Sequence, residues 1–147
     1  MRSLPSLMLF LTAVIVAPVS AAVERQGDAF ILSGPAYRVA FSAKDGSILS
    51  VTQAGKQGSI CRSGEDGLWT LSFREGGRIT ASGLEGRTFT AEPDAAGNLL
   101  RLRWAGPEGT VTVVATGRAD GVDLTAELAP AGKTALELAL PARLRFD

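Results

Sequence analysis

Large apolar residues alternate with polar ones over most of this chain, in short runs separated by turns built from Gly, Pro and Asp. Trp69, Leu71 and Phe73 fall on one side of the stretch that follows the polar turn Ser63-Gly64-Glu65-Asp66-Gly67. Tyr37, Val39 and Phe41 do the same in 36–42, and Leu100, Leu102 and Trp104 in 99–104. In 122–128, Val122, Leu124, Ala126 and Leu128 alternate with Asp123, Thr125 and Glu127. A two-residue period puts alternate side chains on opposite faces of a strand, so each run predicts a strand with one buried and one wet face. Shorter strands are expected at 29–32, 47–52, 59–62, 78–82, 87–91 and 110–116, with 23–27 as a loose lead-in.

Lys44-Asp45-Gly46 reads as a turn, because Asp tolerates and Gly supplies the left-handed backbone that tight hairpins need, and Glu75-Gly76-Gly77 and Asp120-Gly121 read as further turns. No segment of ten or more residues carries a 3.6-residue period with caps. The Ala-, Leu- and Glu-rich run 134–140 has helical composition, but its strict alternation makes it a strand. Roughly ten short strands, with a turn every 8 to 12 residues, predict an all-β fold, an antiparallel β-sandwich.

The first 22 residues break this pattern. Arg2 precedes the apolar run Leu7-Met8-Leu9-Phe10-Leu11-Thr12-Ala13-Val14-Ile15-Val16-Ala17, then Pro18 and the small residues Val19-Ser20-Ala21-Ala22. This is the form of a signal peptide, 1–22, cleaved after Ala21 or Ala22, and it implies a secreted or periplasmic protein. The apolar run falls well short of the roughly 18 residues that span a bilayer, and no cysteine follows it to carry a lipid anchor. Residues 23–147 then form one β-sandwich domain, either whole or the front part of a longer one.

Composition narrows the chemistry. Fifteen basic residues balance fifteen acidic ones, which leaves no basic field for nucleic acid or an anionic membrane. There is no histidine, so imidazole nucleophile-base pairs and His-ligated metals are excluded. Cys61 is the sole cysteine; it can form no intramolecular disulfide or multi-thiolate metal site and reads as a small buried hydrophobe. No cofactor or metal is expected. The three Asp-Gly steps lack the further oxygen ligands of a calcium loop and read as hairpin turns.

Glu65 and Asp66 form the only adjacent acidic pair and are the one candidate ligand contact. Glycosidic acid-base work needs two carboxylates opposed across a cleft, whereas neighbours in one turn read more simply as solvated turn formers. Trp69 and Trp104 are in phase with apolar neighbours and belong in the core rather than on a sugar-stacking surface.

Four stretches together carry a resemblance: Tyr37-Arg38-Val39-Ala40-Phe41-Ser42, Lys44-Asp45-Gly46-Ser47-Ile48, Gly67-Leu68-Trp69-Thr70-Leu71-Ser72-Phe73 and Leu140-Pro141-Ala142-Arg143-Leu144-Arg145-Phe146. The chain resembles the N-terminal β-sandwich, of the galactose-mutarotase-like supersandwich kind, of large secreted bacterial glycoside hydrolases. The resemblance implies a non-catalytic domain that packs against a (β/α)8 barrel, with the barrel supplying the catalytic carboxylates and carbohydrate as the shared substrate. True mutarotases use an imidazole with no counterpart here, complete supersandwiches are longer, and no catalytic residue carries over. The competing expectation is a free-standing secreted or periplasmic binding or adhesion module. A third is a small carboxylate-dependent hydrolase using Glu65 and Asp66.

Overall fold

The computed structural model describes residues 21–83, 85–140 and 144–145. Residues 1–20 of the expected leader 1–22 and most of the run 141–147 lie outside them, whereas Ala21, buried in the core, and Ala22, the first residue of a strand, are described. In chain order the strands are β1 (Ala22–Gln26), β2 (Ala29–Ser33), β3 (Tyr37–Ser42), β4 (Ile48–Gln53), β5 (Arg62–Ser63), β6 (Thr70–Phe73) and β7 (Arg78–Thr80). They continue as β8 (Thr88–Pro93), β9 (Leu99–Gly106), β10 (Gly109–Gly117), β11 (Val122–Pro130), β12 (Ala135–Ala139) and β13 (Leu144–Arg145). All pairings are antiparallel. The described residues form an all-β, sandwich-like fold with no helix.

Two four-stranded sheets dominate, ordered β1-β2-β3-β4 and β11-β10-β9-β8. A three-stranded sheet, β12-β6-β7, and the two-stranded pair β13-β5 complete the order. One core joins them. Leu32, Val39 and Phe41 come from the first sheet, Leu100, Leu102, Val113 and Ala115 from the second, and Leu71 and Phe73 from the third. Burying each large side chain contributes about 2 to 3 kcal/mol.

At the centre Trp69 and Trp104 meet edge to face, with ring centroids 5.7 Å apart and planes at 84°. Each is only 1% exposed. Such a pair adds roughly 0.5 to 1.5 kcal/mol beyond its buried area. Both tryptophans are core residues, as their phase predicts, and Cys61 is buried as expected.

Two boundaries differ from the sequence pattern. The lead-in 23–27 is not loose: Ala22–Gln26 pairs with β2 in full register, from Ala22↔Ser33 to Gln26↔Ala29. Val23-Glu24-Arg25-Gln26 lacks apolar alternation because β1 is an outer strand whose side chains are mostly exposed. Its order comes from backbone pairing, and the Val23 amide also donates to the Gly97 carbonyl at 2.6 Å. The strand expected at 59–62 is reduced to an isolated bridge, Val51↔Cys61, followed by β5.

Candidate functional site: an apolar cleft between the sheets

The two large sheets do not close over one another everywhere. Beside β3 and β4 on one side and the start of β11 on the other lies an open cleft of about 410 Å³. Tyr37, Val39 and Phe41 form its floor, Ile48, Val51, Ile60 and Cys61 one wall, and Val122 and Leu124 the other, with Asp120 and Gly121 at one end.

A β-bulge builds the first wall. Ile48 and Val51 are three residues apart, so regular alternation would send them to opposite faces. The β3–β4 register steps from Ala40↔Ser50 to Phe41↔Ile48 and skips Leu49. The extra residue restores the phase, so Ile48 and Val51 both line the cleft while Leu49 is left 48% exposed. Beyond β4 the chain returns through Ile60 and Cys61, held by Ile60 N–H to the Val51 carbonyl at 2.7 Å and Val51 N–H to the Cys61 carbonyl at 3.0 Å. Cys61 is buried, whereas Ile60 stands 47% exposed.

Tyr37 fixes one end. Its hydroxyl donates to the Arg118 carbonyl at 2.9 Å and so joins the first sheet to the β10–β11 turn. Burial pushes its pKa above the usual phenol value, the Arg118 hydrogen bond opposes that rise, and the nearby charges of Asp120 and Asp123 add to it. Gly117 makes the approach possible, since a Cβ there would stand 2.3 Å from the Ala21 methyl and 3.2 Å from the Tyr37 hydroxyl.

The acidic pair singled out by sequence lies elsewhere. Glu65 and Asp66 sit in the loop between β5 and β6, and neither lines the cleft. The Asp66 carboxylate accepts from Arg78 at 2.5 Å, and its carbonyl accepts from the Ser82 amide at 3.3 Å. Gly67 packs directly on Ala81 and the Ser82 nitrogen, with φ 78°. Asp66 therefore fastens its loop to β7 and to the residues that follow it, and Glu65 beside it is exposed.

A second polar cluster is structural in the same way. Arg87 lies over Gly106, donates to the Gly83 carbonyl, and pairs with Glu108 at 3.1 Å. The backbone amide of Glu108 holds its carboxyl below the usual range despite the opposing cost of desolvation, with Arg87 adding to the lowering. Among the described residues no group of three or more acidic, Cys or His side chains could hold a metal ion. Among the same residues no helix is long and apolar enough to cross a membrane.

The cleft can take apolar material and can offer one carboxylate, Asp120, at its end. Alternation in 122–128 puts Val122 and Leu124 on the inner face, where they lie half-buried, but carries no sign that they meet Ile48, Val51 and Ile60. The only local signal was an apolar pair, Ile60-Cys61, stranded between polar, Gly-containing segments. No family model matches the chain, and neither does any curated protein or solved structure.

Proposed function

We propose that this chain is a non-catalytic β-sandwich of a secreted carbohydrate-active enzyme system, one that works by packing against a companion catalytic domain and shaping its substrate cleft. The observation that supports this reading best is the apolar cleft, with Ile60 47% exposed at its mouth. An apolar cleft open to water offers a partner apolar area to bury. Asp66, held in its ion pair with Arg78, has a structural role that accounts for it without catalysis.

The experiment is to co-produce the chain with the glycoside hydrolase domain encoded downstream of, or beside, its gene. The expected result is a stable complex in size-exclusion chromatography, with altered polysaccharide turnover, that Ile60→Asp disrupts. A chain that stays monomeric beside every such domain, and changes no turnover, overturns the reading.

The second reading is a free-standing secreted or periplasmic binding module. It is favoured by the volume of the cleft, which falls within the roughly 300 to 1,000 Å³ of small-ligand sites. Retention of an apolar ligand by the isolated chain, abolished by Leu124→Asp, would select it over the first.

A further inference from the structure

One wall of the cleft is also the edge of a sheet. β11 ends the order β11-β10-β9-β8, and among the described residues no strand lies beyond it. The direction of its backbone groups follows from the two ends of its pairing with β10. The Arg118 amide donates to the Gly121 carbonyl at 2.8 Å, and the Ala131 amide to the Glu108 carbonyl at 2.9 Å. These contacts share the register of Thr116↔Asp123, Val114↔Thr125, Thr112↔Glu127 and Thr110↔Ala129. Bonded and non-bonded pairs alternate along an antiparallel ladder, so these are the pairs that bond. The N–H and C=O groups of Val122, Leu124, Ala126 and Leu128 therefore point out of the open edge.

The same four residues carry the inward side chains of β11. Their β10 partners Val111, Val113, Ala115 and Gly117 are buried, but they themselves are only half-buried. Backbone donors, backbone acceptors and apolar side chains are thus left partly unsatisfied at one place, beside the cleft. The strand runs nine residues in unbroken register, with no bulge and with proline only at its last position. Most of the devices that blunt an exposed edge are missing.

Charge selects the occupant. Asp123 and Glu127 project from the exposed face of β11, and Asp120 stands at the end of the cleft. Beside these three carboxylates stands Arg118, paired with Asp123 at 2.7 Å, while Arg101 and Arg103 share the exposed face two strands away on β9. A second copy of the chain adds carboxylates to carboxylates: two β11 strands centred on Thr125 set Asp123 of each opposite Glu127 of the other, and registers centred on Leu124 or Ala126 leave them diagonal, with no basic side chain of β11 to offset them.

We infer that β11 receives an extended segment of a partner polypeptide by strand addition, alternate apolar side chains entering the cleft and basic ones lying beside Asp123 and Glu127. Main-chain hydrogen bonds supply the affinity of such a contact and the alternate side chains its specificity. This names how a partner engages the cleft and rests on the reading of the chain as a binding module, whether or not the partner is an enzyme.

The test uses the purified chain and a nine-residue blocked peptide alternating valine with lysine, compared with the same peptide carrying glutamate in place of lysine. Binding is followed by fluorescence anisotropy and by amide hydrogen exchange. The lysine peptide is expected to slow exchange at Val122, Leu124 and Ala126 and to bind at least tenfold more tightly than the glutamate peptide. Ala126→Pro removes an outward N–H that makes no ladder bond, and is expected to weaken binding at least tenfold while the far-ultraviolet spectrum stays unchanged. Glu127→Lys, on the exposed face, is expected to narrow or reverse the preference between the two peptides. Equal binding of both peptides, or binding that leaves exchange along β11 unchanged, overturns the inference. Neither result depends on a carbohydrate or a hydrolase, so the failure of the enzyme-system reading would be seen separately.

Discussion

The indole N–H of Trp104 donates a 3.0 Å hydrogen bond to the backbone carbonyl of Asp45, 59 residues earlier in the chain. The bond ties β9 to the β3–β4 turn and lets the largest side chain of the second sheet bury its one polar atom. Trp69, its edge-to-face partner, buries its own N–H with no hydrogen-bond partner among the described residues. Trp104→Phe is therefore expected to cost about 1 kcal/mol more than Trp69→Phe, the worth of the lost bond. Urea denaturation of both variants measures the difference; equal costs would contradict it.

Gly46 permits that contact. Its φ is 73°, and a Cβ there would lie 2.5 Å from Trp104 Cζ2. Gly55 has a similar φ of 77° with nothing near it. Gly46→Ala is expected to destabilise by about 2 to 4 kcal/mol through backbone strain and overpacking together. Gly55→Ala should cost only about 1 kcal/mol, the backbone part alone. Thermal unfolding of the two variants side by side separates clash from conformation.

Asp45 also makes the fold acid-sensitive. Burial pushes its carboxyl up, but the Ser47 amide at 3.0 Å and the Ser47 hydroxyl at 2.8 Å outweigh it, with Ser42 and Lys44 assisting, and the pKa falls below its usual value of 3.8. A carboxyl depressed on folding stabilises the folded state above its unfolded pKa, and that contribution disappears as pH falls through the folded value. Asp45→Asn is expected to lower stability by about 1 kcal/mol at neutral pH. The gap should close as pH drops below 3.8. A gap that stays constant from neutral pH to strong acid would refute the assignment.

The Asp66–Arg78 pair is exposed, its two side chains being 26% and 51% accessible. Solvent and salt screen such pairs, so Asp66→Asn should change stability by less than about 1 kcal/mol. Because neither Glu65 nor Asp66 lines the cleft, Glu65→Gln and Asp66→Asn should leave binding of the lysine peptide within twofold of the parent. A tenfold loss in the anisotropy titration would return these carboxylates to the site.

Much of the fold is legible along the chain because a period of two survives wherever a strand has one covered face. Leu100, Leu102 and Trp104 keep it, and all three are buried. The signal fades where cover is partial or pairing is purely backbone. β1 has almost no apolar alternation, and its sequence has the look of a lead-in. Its placement depends on β2 and on the Gly97 carbonyl, neither of which is written in Val23-Glu24-Arg25-Gln26.

The candidate site was less visible for a related reason. Ile48 and Val51 share a wall only because the bulge at Leu49 shifts the phase between them. That shift arises from pairing with β3. The acidic turn stands out because Glu65 and Asp66 are adjacent in sequence, yet Asp66 is held by Arg78, the first residue of β7.

By itself, the sequence determined that the chain forms antiparallel strands, which residues of most strands face inward, and that Trp69 and Trp104 belong to the core. These follow from local periodicity and turn chemistry, which act between neighbours. Only the tertiary structure decided how far each inner face is covered. Val122 and Leu124 alternate as cleanly as Val111 and Val113, yet they are half-buried where the latter are sealed. Coverage depends on where the opposite sheet ends, at β4, and on which residues face the gap beyond it, Ile60 and Cys61 among them, far away along the chain.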